Sequence, residues 1–209
     1  MKRPLLLDLF CGAGGAAMGY HQAGFDIVGI DNTLQPDYPF AFIQGDALEP
    51  PVRLKHFDLI HASPPCQAYI RSGNVNKNRH PDLLPATRQM LQNSKRPWVI
   101  ENVPGAPMRP DVILCGSHFG LPLRRHRWFE SNLPLSPLVP PCDHTKRIVG
   151  VYGHPHGQKG AAKGMLPGTT QTWKQAMQMP WANAKGLSNA IPPAYTKRIG
   201  PDALKCLHN

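Results

Sequence analysis

The sequence predicts an α/β fold in which a mostly parallel sheet is covered by helices on both faces. Two observations indicate this class. Short apolar runs alternate with segments of helical spacing through roughly the first 130 residues, the pattern of strand–helix–strand units. The first apolar run also passes directly into a cluster of glycines that opens a helix. The 24 prolines and 19 glycines favour short elements with irregular connections between them.

The predicted elements follow in chain order. A strand at residues 5–10 enters the glycine turn and then a helix that ends at Gly24. Later apolar runs predict strands at 27–30, 57–62, 98–102 and 112–115, with a helix at 81–94. Beyond residue 130, proline and glycine predict little regular structure until two helices at 172–179 and 192–200.

The charge balance points to a polyanionic partner. Lys and Arg number 23 against 13 Asp and Glu, a net charge of +10, and nucleic acid is the common polyanion. Hydrophobic residues at 41% and charged residues at 17% exclude a disordered basic tail protein. No apolar run approaches the ~18 residues of a membrane span, so no membrane partner is expected. Five cysteines without a disulfide framework favour a reducing cytoplasm.

The glycine turn predicts a pocket for a nucleoside. Three glycines lie within the four residues that end at Gly15, and they let the backbone turn tightly and approach a ligand. Asp31 follows the second predicted strand, at the offset where an acid takes ribose hydroxyls in dinucleotide sites. The alternative interpretation is a plain strand-to-helix connection.

Two further strand ends carry reactive side chains. Two prolines immediately precede Cys66, which would hold a nucleophilic thiol rigidly in a cleft. Glu101 ends another predicted strand, and parallel strands bring such residues to one edge of the sheet. The alternatives are an inert buried cysteine and a structural carboxylate.

Arg125 and Arg127 alternate along a predicted strand and would therefore share one face. Two guanidinium groups on one face can clamp a phosphate or a carboxylate. The alternative is a solvated basic surface.

In this order along the chain, the motifs resemble the DNA cytosine-5 methyltransferase family. Pro65-Cys66-Gln67 is similar to the family's catalytic Pro-Cys-Gln, and Glu101-Asn102-Val103 to its Glu-Asn-Val. The two arginines match the Gln-x-Arg-x-Arg motif, with Leu123 in place of the glutamine. Residues 188–193 resemble the last conserved motif, with Ser188 in place of its usual glycine.

The resemblance implies a Rossmann-like sheet that binds S-adenosylmethionine as methyl donor. It implies that Cys66 adds to a flipped cytosine, that Glu101 donates to the ring, and that Arg125 and Arg127 hold the base and its sugar-phosphate, with no metal required. The implied donor contacts are Phe10, Gly12, Ala13, Gly14, Gly15, Asp31, Asn32, Asp46, Ala47, Pro65, Ser188 and Asn189.

The same resemblance divides the chain into three segments. Residues 1–130 would form the catalytic and donor-binding domain, 131–168 a short target-recognition insert, and 169–209 a segment that returns to the catalytic domain. Duplex DNA is the expected partner of a monomeric enzyme of bacterial or viral origin, with room for a companion restriction endonuclease or a specificity subunit. The expected DNA contacts are Gln67, Lys146, Arg147, Lys159 and Lys163.

The sequence leaves three alternatives open. The insert holds Cys142-x-His144 and His154-x-His156, which would converge on zinc if a strand at 148–152 folded the chain back. These spacings are tighter than common finger patterns, which favours loop histidines that contact phosphate. The substrate could instead be tRNA, which a branch of the same family methylates, and the chain could also be a nucleic-acid-binding regulator without turnover.

Overall fold

The computed structural model describes residues 2–69, 81–155 and 165–207. Within these ranges, seven strands form the main sheet and two form a small second sheet, with five α-helices around them. The strands are β1 (Leu5–Leu9), β2 (Asp26–Asp31), β3 (Ala41–Gln44), β4 (Leu59–Ala62), β5 (Trp98–Asn102), β6 (Val112–Leu114), β7 (Arg127–Ser131), β8 (Ile148–Val149) and β9 (Met165–Leu166). The helices are α1 (Gly15–Ala23), α2 (Leu84–Ser94), α3 (Thr170–Met177), α4 (Ala184–Asn189) and α5 (Pro193–Leu207).

The main sheet has the order β3-β2-β1-β4-β5-β7-β6. Strands β1 to β5 pair in parallel, whereas β7 runs antiparallel to both β5 and β6. The predicted α/β class with a mostly parallel sheet is therefore confirmed. Strand order reverses direction between β1 and β4, and open α/β sheets bind ligands at the carboxyl ends of the strands at such a point.

Alternation along β1 separates the two faces of the core. Leu6 packs in one hydrophobic cluster with Phe25 and Tyr195, whereas Leu7 and Leu9 pack in the cluster on the other face. This is the period of two that an extended strand imposes on its side chains. The sheet is therefore apolar on both sides, as expected for parallel strands covered by helices.

The C-terminal helix packs against the first helix. Thr196 of α5 donates its hydroxyl to the Ala16 carbonyl of α1 at 2.7 Å. A Cβ at Gly19 would overlap the Pro193 carbonyl and the Thr196 side chain, so glycine allows the two helices to approach. This contact places the segment before α5 next to the glycine turn at the start of α1.

The structure departs from the predicted elements at three points. The predicted end of the last helix at residue 200 is wrong because α5 continues through Pro201 to Leu207. A Cβ at Gly200 would overlap that of Ala23, so this glycine serves helix packing and does not end the helix. Two elements were not predicted: β3, in which Ala41 and Gln44 are exposed, and α4, which has only six residues.

The segment after β7 is more ordered than proline and glycine content predicts. β8 pairs in parallel with β9, and Val149 and Val151 pack with Leu123 and Trp173 in a third hydrophobic cluster. Within the described ranges, none of the helices has the length and apolar character needed to cross a lipid bilayer.

Candidate active site

A cavity of about 480 Å³ lies at the carboxyl ends of β1, β2, β4 and β5. The antiparallel β7 starts at this same edge, which brings its first residue, Arg127, beside Glu101 of β5. Most of the residues predicted from sequence line it: Phe10, Gly12, Ala13, Gly15, Asp31, Asn32, Asp46, Ala47, Pro65, Cys66, Gln67, Glu101, Arg127 and Asn189. One cavity thus unites the glycine turn with the candidate nucleophile and acid.

The turn that opens α1 is built from left-handed backbone. Phe10, Gly12 and Gly14 have φ values of 56°, 48° and 77°. A Cβ at Gly12 would meet nothing within 4 Å, so this glycine is required for its conformation and leaves open space. A Cβ at Gly15 would overlap the Ile191 carbonyl, so this glycine allows the C-terminal segment to close the cavity.

Two carboxylates beside the turn are held by backbone amides. The Asp31 carboxylate accepts from Gly12 N at 3.0 Å and from Thr33 N at 2.9 Å. Asp46 accepts from Leu48 N at 2.8 Å. Because each carboxylate oxygen has two acceptor sites, both groups keep capacity to bind hydroxyl or amine donors of a ligand.

The Cys66 loop is tied to the strand that carries Glu101. Asn102 donates its side-chain amide to the Pro64 carbonyl at 2.9 Å, and its side-chain oxygen accepts from Val103 N at 2.8 Å. The Pro-Cys loop and the end of β5 are therefore held as one unit. This contact gives the asparagine a structural role that links the two motifs.

Glu101 forms an ion pair with Arg127, with Nε and Oε1 2.8 Å apart. Burial nevertheless raises the pKa of the Glu101 carboxyl, because loss of solvation outweighs the opposing effects of Arg127 and of a hydrogen bond from Ser63. Burial also raises the pKa of the Cys66 thiol, against the opposing charge of Arg127. The environment therefore favours the protonated form of both groups.

Arg125 does not line the cavity, and the prediction that it shares a strand face with Arg127 is wrong. It precedes β7 and is 2% exposed. Its guanidinium donates to the carbonyls of Val151 and Ser188 and lies 5.4 Å from the ring centroid of Tyr152. Burial lowers its pKa to about 10, so it stays charged at neutral pH. It joins the insert to the C-terminal segment.

Two of the predicted donor contacts lie outside the cavity lining. Gly14 packs against Tyr38 and Pro39, where a Cβ would come within 2.9 Å of both side chains. Ser188 donates its hydroxyl to the Lys185 carbonyl at 2.9 Å, and its own carbonyl accepts from Arg125. Both residues shape the cavity through the backbone.

Leu123, which occupies the glutamine position of the arginine motif, is buried in the third hydrophobic cluster. A glutamine amide at this point would lie among apolar side chains. The substitution thus matches its surroundings.

Sequence reasoning missed several residues that line the cavity, among them Asp8, Ser63 and Lys185. Asp8 is buried in β1, and its Oδ1 has no hydrogen-bond partner among the described residues. Burial raises the pKa of Asp8 to about 8, with Asp31 and Glu101 adding to the effect and Tyr38 opposing it. Strand alternation was the available signal for Asp8, since it places this residue on a buried face.

A chain of buried polar groups lies behind Glu101. The Tyr20 hydroxyl is 3.3 Å from His61 Nδ1, and His61 Nε2 is 3.0 Å from the Ser63 hydroxyl. Burial lowers the pKa of His61 to about 3, so its imidazole is neutral. Ser63 in turn hydrogen-bonds to Glu101 and favours the charged carboxylate.

The predicted DNA contacts differ in their surroundings. Gln67 lines the cavity, and its buried Oε1 has no partner in the described part of the chain. Lys146 is exposed near Asp143, and Arg147 donates to the Met165 carbonyl at 3.0 Å. Lys159 and Lys163 lie outside the described residues.

The predicted zinc ligands do not converge as the sequence suggested. β8 is only two residues long and pairs with β9, so no strand over 148–152 carries His154 back to Cys142. His154 is exposed, and His156 lies outside the described residues. Cys142 and His144 instead come together with Cys115 and His126.

Comparison with known proteins gives one family and a set of related folds. Residues 5–109 match the family model of C-5 cytosine-specific DNA methylase. The type II methyltransferase M.XorII of Xanthomonas oryzae pv. oryzae is 29% identical over 124 residues, which are 50% of this chain and 29% of that protein. The matched region is thus less than a third of the relative's length.

Two solved structures share the fold over nearly the whole chain. A protein described as a prophage-encoded DNA modification methyltransferase of E. coli has a TM-score of 0.67 at 14% identity, with 99% of both chains covered. The Dnmt2 methyltransferase of S. pombe has a TM-score of 0.64 at 14% identity, with 100% of both chains covered. At this identity the likeness concerns the fold.

Proposed function

Because the chain belongs to the family of C-5 cytosine-specific DNA methylases, we propose that it transfers a methyl group from S-adenosylmethionine to C5 of a cytosine in duplex DNA. The observation that carries the proposal is the shared cavity. Cys66, Glu101 and Arg127 line the same space as the glycine turn and Asp31. A nucleophile and an acid for the base are therefore next to groups suited to a nucleoside donor.

The lining fits this donor in shape and charge. Gly12 leaves open space where any other residue would place a Cβ, and Asp31 and Asp46 keep acceptor capacity for ribose hydroxyls and an adenine amine. Asp31 and Asp46 place two carboxylates in the cavity of a chain whose net charge is +10. These carboxylates suit a ligand with a cationic centre, and when bound S-adenosylmethionine supplies an electrophilic methyl group.

Cys66 activates the base. C5 of cytosine is a poor nucleophile, and addition of a thiolate at C6 forms a carbon–sulfur bond while the ring electrons move towards C5. The thiol must first lose its proton, which burial opposes and the charge of Arg127 assists. After transfer, loss of the C5 proton allows the sulfur to leave as a thiolate, and N3 returns its proton to Glu101.

Glu101 relieves the charge that develops on the ring. A protonated carboxyl can donate to N3 as the sulfur adds, and burial raises its pKa towards this form. Arg127, the first residue of β7, pairs with Glu101 at 2.8 Å and holds its carboxyl in position. The residue pair therefore combines proton donation with orientation.

The base must leave the duplex to reach the cavity. Flipping costs a few kcal/mol, which contacts in the pocket recover. The positive charge of the chain favours duplex binding without selecting a sequence. We assign recognition of the DNA sequence to the insert at 131–168, as the resemblance implies.

Cys66→Ala is the direct test. We expect methyl transfer to duplex DNA to be abolished, while calorimetry still detects S-adenosylmethionine binding. Cys206→Ala is the matched control, because Cys206 is also partly buried but lies in α5. Wild-type protein should form a covalent adduct with duplex that contains 5-fluorocytosine, and undiminished turnover of the Cys66 variant would overturn the mechanism.

The tRNA alternative keeps the same chemistry. Net positive charge supports either polyanion, and the fold is shared with the S. pombe Dnmt2 methyltransferase over the full length of both chains. Labelled methyl transfer to duplex DNA and to tRNA, measured side by side, separates the two substrates. Failure to form any adduct with either one would favour a regulator without turnover.

A further inference from the structure

Four possible metal ligands meet beside the outermost strand of the sheet. They are Cys115, His126, Cys142 and His144, whose ligand atoms all lie within 4.8 Å of one another. The Cys115 sulfur is 3.5 Å from His144 Nε2, and the Cys142 sulfur is 3.5 Å from His126 Nε2. The rings of the two histidines are nearly perpendicular, with centroids 5.1 Å apart.

We propose that these four side chains bind a structural zinc ion. A tetrahedral zinc with Zn–S of about 2.3 Å and Zn–N of about 2.0 Å separates a sulfur from a nitrogen ligand by about 3.5 Å. Both cross-segment sulfur–nitrogen distances have this value. These two distances fit a shared ion, and the other pairs of ligand atoms lie within 4.8 Å of one another.

The sheet register accounts for one half of the site. β6 and β7 are antiparallel, with Leu114 opposite Arg127. The next pair outward in this register is Cys115 and His126, one just after β6 and one just before β7. Two ligands are thus positioned by backbone that the main sheet already fixes.

The insert supplies the other half. Cys142 and His144 are separated by one residue, so in extended backbone both side chains project to the same side. Arg124 donates to the His144 carbonyl, and Val149 N donates to the Pro122 carbonyl at 2.8 Å. These contacts hold the segment against the residues that precede β7.

The donor set favours zinc over other common ions. Thiolate and imidazole ligands suit zinc, whereas magnesium and calcium prefer oxygen. Two cysteines and two histidines complete a four-coordinate shell and leave no position for a substrate, which is the composition of a structural site. This site is therefore separate from the methyl-transfer chemistry.

His118 adds an outer contact typical of such sites. Its Nδ1 accepts from Cys115 N at 3.3 Å, so the proton is on Nε2, which lies 3.1 Å from the Cys142 sulfur. An N–H that donates to a ligand sulfur stabilises the thiolate form. A metal-bound thiolate gives this hydrogen bond a strong acceptor.

The ion would fasten the insert close to the active site. His126 is one residue from Arg127, which pairs with Glu101, and one residue from Arg125, which binds the Val151 carbonyl. Among the described residues, hydrogen bonds to His118, Arg124 and His126 would hold the segment at 142–144 when the metal is absent. We therefore expect zinc to stabilise the folded chain and to fix the start of the insert.

Metal analysis of untagged protein, purified with a thiol reductant and without chelator, tests the proposal. We expect about one zinc per chain. Cys142→Ser and His144→Asn should each lose the zinc, while Cys206→Ser and His154→Asn should retain it. The His154 variant is the critical control, because it separates this ligand set from the one that sequence spacing suggested.

A second measurement uses wild-type protein and so does not depend on whether a variant folds. Wild-type protein stripped by a chelator should melt at a lower temperature, recover on addition of zinc, and show the visible absorption of tetrahedral thiolate coordination on addition of Co²⁺. Absence of zinc together with absence of Co²⁺ bands would overturn the proposal. So would zinc retained by the Cys142 variant, or a Cys115–Cys142 disulfide in the reduced preparation.

Discussion

The cavity beside the glycine turn and the cysteine–histidine group lie at the same edge of one sheet but are held in different ways. In the cavity, backbone contacts fix the side chains: the glycine turn, the Pro64 carbonyl and the ends of β1, β4 and β5. At the cysteine–histidine group, the side chains contact one another across three chain segments. The first site is thus held through backbone contacts, whereas the second depends on contacts among its own side chains, which the proposed zinc ion would bridge.

This difference predicts how each site responds to change. A substitution in the cavity should lower the rate of the reaction and leave the fold intact, because the cavity side chains protrude from rigid strand ends. A substitution among the cysteine–histidine ligands should alter stability and metal content first.

Glu101→Gln should have the largest effect of these. The amide cannot transfer a proton to N3, so we expect turnover to fall by a factor on the order of 10² or more. Steady-state methyl transfer under saturating donor measures it. Glu130→Gln is the matched control, since Glu130 is also buried and pairs with an arginine, Arg88, at 2.8 Å. An equal loss in both variants would contradict a chemical role for Glu101.

The pH dependence of that variant should differ from wild type. Activity requires Cys66 without its proton and Glu101 with its proton, and burial raises the pKa of both groups. A thiol ordinarily titrates well above a carboxyl, and with this order the active form is a minor and constant fraction of the enzyme between the two pKa values. We therefore expect kcat/KM of wild type to be flat there, falling with acid below the Glu101 pKa and with base above the Cys66 pKa.

In Glu101→Gln the thiol is the remaining titrating group of the Cys66–Glu101 pair, so the residual activity should rise about tenfold per pH unit up to the Cys66 pKa. The measurement is kcat/KM at several pH values for both proteins. A flat profile in the variant would show that Glu101 is not the acid in the active form.

The elements that build the cavity could be predicted because their signals are local. The glycine turn, the prolines before Cys66 and the acid at the end of β5 each follow an apolar run, and parallel strands bring such ends together. Lys185 could not be predicted, because it reaches the cavity through α4 and the packing of α5 on α1.

The cysteine–histidine group shows the limit of local signals. Cys142 and His144 stand out by their spacing, but their companions depend on the register between β6 and β7. Cys115 and His126 are eleven positions apart, and no spacing rule connects them to the insert. The prediction for Arg125 failed because β7 begins only at Arg127, so Arg125 lies before the strand and does not follow its alternation.

Asp31→Ala should weaken donor binding with little effect on turnover at saturating donor. Loss of a hydrogen bond to a charged group is worth about 1.5 kcal/mol or more, so we expect the Kd for S-adenosylmethionine to rise about tenfold. Calorimetry measures it. Asp26→Ala is the matched control at the other end of β2, where the carboxylate is exposed and lies 3.4 Å from Arg3. An unchanged affinity of the Asp31 variant for S-adenosylmethionine would contradict the proposed contact between Asp31 and the ribose.

Ser63→Ala should have the smallest effect, and a distinctive one. The hydroxyl favours the charged form of Glu101, so its loss should raise the Glu101 pKa further. The acid limb of the wild-type profile should then move to higher pH, by less than about one unit. Ser94→Ala is the control, because that hydroxyl donates to the Leu91 carbonyl at the end of α2.

The direction of this shift separates positioning from packing. His61 Nε2 loses its partner at 3.0 Å in the Ser63 variant, so some stability is lost in either case. A purely structural role would lower the rate equally at every pH and leave the limb where it is. A shift to lower pH would contradict the hydrogen bond to the carboxylate, and with it the argument that contacts from behind the strand set the protonation of the active-site acid.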